Sequence, residues 1–253
     1  MPKPTDRELP LKYRLSLNLQ RAISYANLPW FGPSFKFILH RIGGYTCPEH
    51  EELRDKVKKI FVESEGKPII LCSNHLTMID SMLLTSWLFS FSDFFKSFHL
   101  FPWNIPEKDN FGTNIALKAM CYLGKCVYLT REGSLSSKRL TWAKVRYLVE
   151  SGQLVCIFPE GTRSRRGRII PEYATFGVGR LVQHIPECQV LCVYLRGSSQ
   201  ETYSFFPKRH DTFYADASLI KPQSQQPGQP GAKEITMQIM HRLKEMEDQY
   251  FAR

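Results

Sequence analysis

The feature that most constrains this chain is a set of short apolar runs: Ile69-Ile70-Leu71-Cys72, Leu154-Val155-Cys156 and Val190-Leu191-Cys192-Val193-Tyr194-Leu195. They are apolar at successive positions rather than at alternate ones, which suits strands covered on both faces. Residues 125–130 form another strand-like run, and residues 212–217 a last one. Between them, helices are predicted over 49–63, 81–88, 111–122, 134–150, 173–185 and 232–253, with Gly124 and Gly152 placed to stop two of them. Strands alternating with helices predict an α/β fold, a mostly parallel sheet flanked by helices. The 253 residues suffice for one large domain with a full core.

Ahead of the first strand, Leu11, Leu15, Leu19, Ala22, Ile23 and Ala26 fall at helical spacing, with Lys12, Arg14 and Arg21 interleaved. Pro29 and Pro33 predict a break, and a second apolar and basic piece, residues 35–42, ends at Gly43-Gly44. With Trp30 and Phe31 this predicts an N-terminal amphipathic helical hairpin. Two readings of it stand side by side: a hairpin lying in lipid headgroups, or a pair packed on the protein's own core. The expected division is residues 1–44 as a membrane-surface hairpin and residues 45–253 as the α/β domain.

No run reaches the roughly 18 apolar residues of a membrane span. The nearest, residues 82–100, is interrupted by Asp93 and Lys96 and reads as a core helix plus a loop. The first ten residues are polar with no apolar h-region behind them, so no signal peptide is expected. Lysine and arginine outnumber acids 34 to 24, a formal charge of +10 that attracts anionic partners: nucleic acid, an anionic membrane or phosphorylated substrates. The 13% aromatic content, much of it N-terminal, leans toward the membrane. Seven cysteines, an odd number with no C-x-x-C pair, read as buried free thiols in a reducing compartment and argue against a zinc site.

Chemistry concentrates where two of the apolar runs end. The first leads into Ser73-Asn74-His75-Leu76-Thr77-Met78-Ile79-Asp80, with a helix behind it. Inside one helix, residues five apart do not share a face, but a histidine just before the helix can meet an aspartate in its first turn. The carboxylate then holds one ring nitrogen and leaves the other to take a proton. A lone His–Asp pair is more often structural. The second run leads into Phe158-Pro159-Glu160-Gly161-Thr162-Arg163, which adds phosphate-binding potential to a base. Cys72 and Ser73 lack the G-x-S-x-G setting of a covalent nucleophile.

Asn74-His75-x-x-x-x-Asp80 together with Phe158-Pro159-Glu160-Gly161-Thr162-Arg163 resembles the glycerolipid acyltransferase family. Residues 124–131 and 190–195 resemble two further blocks in the same order, so the likeness spans roughly residues 65–200. In the second block Leu129-Thr130 stands where the family commonly has an acid before the arginine, so only Arg131 carries over; the fourth block lacks the usual proline. The resemblance implies His75 as general base and Asp80 as its orienting acid, with Asn74, Arg131, Glu160, Gly161, Thr162 and Arg163 as substrate-binding residues. It implies transfer of a fatty acyl group from acyl-CoA or acyl carrier protein to 1-acylglycerol 3-phosphate, giving phosphatidic acid. No metal or other cofactor and no nucleic acid is expected; the partners are an anionic membrane surface, the lysophospholipid and the acyl donor. The expected location is peripheral, monotopic, on the cytoplasmic face of a membrane. The alternatives are another lyso-lipid acceptor, a non-catalytic basic lipid-binding module, and a hydrolase using the same dyad with water. Arg165, Arg166 and Arg168 read as a solvated or lipid-facing loop.

Overall fold

A computed structural model describes residues 9–253. Its centre is a four-stranded sheet in the order β2-β1-β3-β4, formed by β1 (Ile69–Ser73), β2 (Val155–Ile157), β3 (Gln189–Gly197) and β4 (Phe213–Ile220). β1 runs parallel to both β2 and β3, and β4 returns antiparallel along β3. The three apolar runs thus became the three parallel strands, and every residue of each is buried.

The pleat divides the core in two. Ile70, Cys72, Val155, Ile157, Val190 and Cys192 face one side, where α7 (Leu135–Glu150), α8 (Gly177–His184) and α9 (Gly228–Phe251) close over them. Ile69, Leu71, Cys156, Leu191, Val193 and Leu195 face the other, under α2 (His50–Glu63), α3 (Asp80–Leu88) and α4 (Phe91–Lys96). Successive side chains point to opposite faces, so an unbroken apolar run feeds both cores at once. This is the expected α/β layer with a mostly parallel sheet flanked by helices.

Several local expectations are corrected. Residues 125–129 make isolated parallel bridges to 104–107 instead of a strand. Bonds such as Asn104 N–H to the Lys125 carbonyl and Leu129 N–H to that of Pro106 are made, but Pro106 has no N–H to donate and the ladder cannot run on. The helix expected over 111–122 is split into α5 (Lys108–Phe111) and α6 (Ile115–Leu123). Asn114 caps α6, its side chain accepting from Ala116 N–H at 2.7 Å. The helix expected over 173–185 is a short 3-10 turn, Pro171–Tyr173, followed by α8.

The N-terminal hairpin is also corrected. One helix, α1 (Leu11–Phe37), passes through both Pro29 and Pro33 and continues as a π-helical turn, Ile38–Ile42. Both proline rings lie on the exposed side, where freed carbonyls remain open to solvent. More telling is which face it buries. Leu11, Leu15, Leu19, Ile23, Trp30 and Phe37 are exposed, while Leu17, Gln20, Ser24 and Leu28 are buried. The polar pair has a specific task. Gln20 Nε2 donates to the carbonyls of Tyr122 and Cys126, both at 3.1 Å, and Ser24 Oγ donates to Tyr122 O at 3.2 Å. These bonds fasten α1 to the C-terminal end of α6 at Tyr122, whose carbonyl also takes the Lys125 N–H, and to Cys126 just beyond it. The stripe of Leu11, Leu15, Leu19 and Ile23 thus faces outward, while Leu17 and Leu28 of the same helix pack on the two cores. Among the described residues no helix is long and apolar enough to cross a membrane. All seven cysteines are free, and all but Cys126 are buried.

Candidate active site

His75 follows β1 by two residues, and Asp80 opens α3. His75 Nδ1 lies 3.0 Å from Asp80 Oδ2. Asp80 is buried and fully engaged: Oδ2 also accepts the backbone N–H groups of Leu76 at 2.6 Å and Thr77 at 2.8 Å, while Oδ1 accepts the Thr77 hydroxyl at 2.5 Å. Its place in the first turn of α3 adds the favourable end of the helix dipole. A carboxylate held by so many donors is an acceptor, so Nδ1 carries the imidazole proton and Nε2 presents its lone pair. The ring stacks on Phe158, centroids 4.1 Å apart and planes 17° from parallel. Stacking and the Asp80 bond together fix the ring's orientation.

The second motif supports the first from below. Glu160 is buried, and its Oε1 accepts the backbone N–H of His75 at 3.1 Å, while Ser164 N–H donates to the His75 carbonyl at 2.7 Å. Burial pushes the Glu160 carboxyl up to about 7, against the lowering effect of the His75 N–H. Gly161 turns the chain at φ +67°, and a Cβ there would lie 2.6 Å from Thr175 Cγ2. Asn74 is buried as well and bonds the Leu195 backbone on β3 in both directions, Nδ2 to the carbonyl at 2.9 Å and Oδ1 from the N–H at 2.8 Å. The amide thus stitches the histidine loop to the sheet.

His75 opens onto a cavity of about 450 Å³. Arg131, Thr162 and Arg163 line it beside apolar groups from distant segments, among them Phe31, Phe35, Met82, Phe101 and Trp142. Asn74, Asp80 and Glu160 stand behind the cavity wall and hold the residues in it. Arg131 is oriented by Glu107, whose carboxylate lies 2.6 Å from Nε and accepts the Arg131 backbone N–H at 3.0 Å; the guanidinium also donates to the Gly161 carbonyl. Arg163 donates to the Ser204 carbonyl at 2.9 Å and lies over the rings of Tyr203 and Phe205. Arg165 also lines the cavity.

Sequence reasoning missed several contributors. Thr77 lay inside the first motif and, as a hydroxyl three residues before a carboxylate at a helix start, was a visible signal. Glu107 and residues 203–205 are distant in the chain and left no local sign. Lys125 is fully buried, with Nζ donating to the Phe101 carbonyl at 2.6 Å, to that of Phe98 at 3.2 Å and to Gln153 Oε1 at 3.3 Å. Burial holds its pKa well below the usual lysine range. It ties down the loop that carries Phe101 into the cavity. Among the described residues, no group of three or more His, Cys, Asp or Glu side chains is placed to hold a metal ion.

The fold is an α/β layer whose parallel strand ends place a carboxylate-oriented histidine beside a cavity of mixed polar and apolar lining, with arginines at its wall. A family model described as Acyltransferase matches residues 49–196, more than half of the chain. The protein belongs to this acyltransferase family, in agreement with the glycerolipid acyltransferase resemblance of its motifs. No curated protein matches the chain.

Proposed function

We propose that this protein is a membrane-surface O-acyltransferase that moves a fatty acyl group from acyl-CoA or acyl carrier protein to the free hydroxyl of 1-acylglycerol 3-phosphate, giving phosphatidic acid. The observation that carries the reading is His75, pinned through Nδ1 by buried Asp80 and opening onto the cavity that Arg131 and Arg163 also line. Nε2 takes the proton of the acceptor hydroxyl as its oxygen attacks the thioester carbonyl. When the tetrahedral intermediate collapses, the C–S bond breaks and the imidazolium returns its proton to the departing thiolate. Asp80 keeps the tautomer and stabilises the imidazolium between the two transfers. Arg131, Thr162 and Arg163 would hold the glycerol phosphate, the arginines through permanently charged planar groups. Apolar side chains such as Phe31, Phe35 and Phe101 would take acyl chain.

No metal or prosthetic group enters this scheme, and the co-substrate is the acyl thioester. The outward apolar stripe of α1, with Lys12 and Lys36 exposed along the helix, supports peripheral docking on an anionic membrane, on the cytoplasmic face in this reading. The same chemistry makes nucleic acid the less suitable anionic partner.

A second acceptor class has one observation in its favour. Part of the Arg131 charge is already met by Glu107, which lessens the demand for a phosphate monoester. The test is purified protein with labelled acyl-CoA against a panel of lyso-lipids, following acyl lipid and free fatty acid together. Transfer chiefly to 1-acylglycerol 3-phosphate is the expected result. Preference for a neutral or zwitterionic lyso-lipid would shift the acceptor, and fatty acid release without transfer would make the protein a hydrolase.

A further inference from the structure

The segment joining β3 to β4 bears an unusual surface. Tyr203, Phe205 and Phe206 are 44%, 67% and 63% exposed, and the exposed cations Lys208 and Arg209 follow directly. Apart from the Arg163 guanidinium over Tyr203 and Phe205, these rings face outward, and Glu201 is the one acid between residues 198 and 210.

The loop is not loosely attached. Ser204 N–H donates to the Leu76 carbonyl at 3.0 Å, and Met78 N–H donates to that of Phe205 at 3.1 Å. Those contacts flank Thr77, whose hydroxyl and N–H hold Asp80. At its far end the loop meets the end of the N-terminal helix: Arg209 Nε donates to Ile42 O at 3.1 Å and His210 N–H to Gly43 O at 2.8 Å. Tyr45 adds a bond from its hydroxyl to the Pro207 carbonyl at 3.2 Å. There the helix exposes Phe37, Ile38 and Ile42, with the exposed cations Lys36 and Arg41 interleaved. Two segments far apart in sequence therefore present aromatic or aliphatic side chains and positive charge side by side, while one of them is bonded to the loop of the catalytic histidine.

We infer that residues 203–209 form a second lipid-docking element, which completes a surface begun by the end of the N-terminal helix and seats the cavity mouth on an anionic bilayer. Exposed aromatic rings suit the headgroup layer, and neighbouring lysine and arginine suit anionic lipid. Tyr203 and Arg163 belong both to this loop region and to the cavity lining, so an acceptor drawn from the bilayer meets the site where the loop enters it. The inference deepens the membrane-surface reading and does not depend on which acceptor is used.

The test is the double variant Phe206→Ser/Lys208→Ser, whose native side chains make no hydrogen bond or ring contact among the described residues and do not line the cavity. Binding is measured by co-sedimentation with phosphatidylcholine vesicles containing phosphatidylglycerol. Turnover is measured with an acceptor in those vesicles and with a short-chain, water-soluble one. Losing one buried ring and one cation at the interface is expected to lower the vesicle partition constant roughly tenfold or more. Turnover on the vesicle-borne acceptor falls with it, and turnover on the soluble acceptor stays at the parent level. Unchanged partitioning overturns the inference, as does an equal fall on both acceptors, which would make the loop a prop for the histidine loop alone. A native dimer that the variant dissociates would assign the patch to a second copy instead. If the parent transfers to neither acceptor, the reaction reading fails, and the partition constant still decides the surface.

Discussion

The histidine and its aspartate differ in what else depends on them. His75 makes a ring stack and one side-chain bond, so His75→Ala removes the base and little packing. Asp80 also collects the loop's N–H groups and the Thr77 hydroxyl, and an amide there would aim donors at donors. His75→Ala is expected to lower turnover by about a hundred- to ten-thousandfold with an unchanged melting temperature. Asp80→Asn is expected to lose comparable turnover and also about 1–3 kcal/mol of stability. Thermal melts beside single-turnover assays check both; an Asp80→Asn protein as stable as its parent would break the argument. Glu160 supplies a pH signature. Its folded pKa, about 7, stands above the ordinary 4.5, so the folded state holds the proton more tightly than the unfolded one. Its contribution is fully present below about pH 4.5 and is lost as pH rises to about 7. Glu160→Gln keeps an acceptor for His75 N–H without the buried charge. Its melting temperature relative to the parent is expected to rise between pH 5 and pH 8, and a pH-independent difference would contradict this assignment.

At the scale of the element, α1 departs from an ordinary surface helix: Leu11, Leu15 and Leu19 point outward, while Gln20 and Ser24 are buried beside Leu17 and Leu28. The inward pair donates to the carbonyls of Tyr122 and Cys126 at and beyond the end of α6, a task leucine cannot perform. Leu15→Ser/Leu19→Ser is therefore expected to change stability by no more than about 0.5 kcal/mol per site while weakening vesicle binding. Leu17→Ser, on the buried face, is expected to cost about 2–5 kcal/mol. Denaturant melts with vesicle co-sedimentation separate the cases. Equal destabilisation by the two variants would mean that the outer leucines pack on protein. The cores above and below the sheet show the opposite, regular case, in which continuous apolar strands bury both faces.

For the whole molecule, α1 is also a wall of the site. Phe31 and Phe35 line the cavity, and the same helix covers the end of α6. Removing the residues before Gly43 thus strips the proposed docking surface, part of the cavity wall and the donors to Tyr122 and Cys126 together. Such a truncation is expected to lower both melting temperature and turnover on a water-soluble acceptor, where no membrane is involved. Full soluble-substrate activity in the truncated protein would show that the helix serves only for docking.

The sequence by itself determined the layer and the meeting of His75 with Asp80. Three continuous apolar runs had no other economical home than a sheet covered on both faces, and a histidine before a helix that begins with aspartate brings the two together through short-range geometry. Partners remote in the chain carry no local period, and these the tertiary structure alone decided. Pro29 and Pro33 argued for a break, but both rings lie on an exposed face where lost hydrogen bonds are cheap, so the helix continued. The amphipathic pattern of α1 named its apolar face without saying where that face points, because its direction is set with bonds from Gln20 and Ser24 to the carbonyls of Tyr122 and Cys126, about 100 residues away. Glu107 beside Arg131, the buried Lys125, and residues 203–209 clasping the histidine loop are all pairings across long loops, fixed only when the sheet brings their segments together.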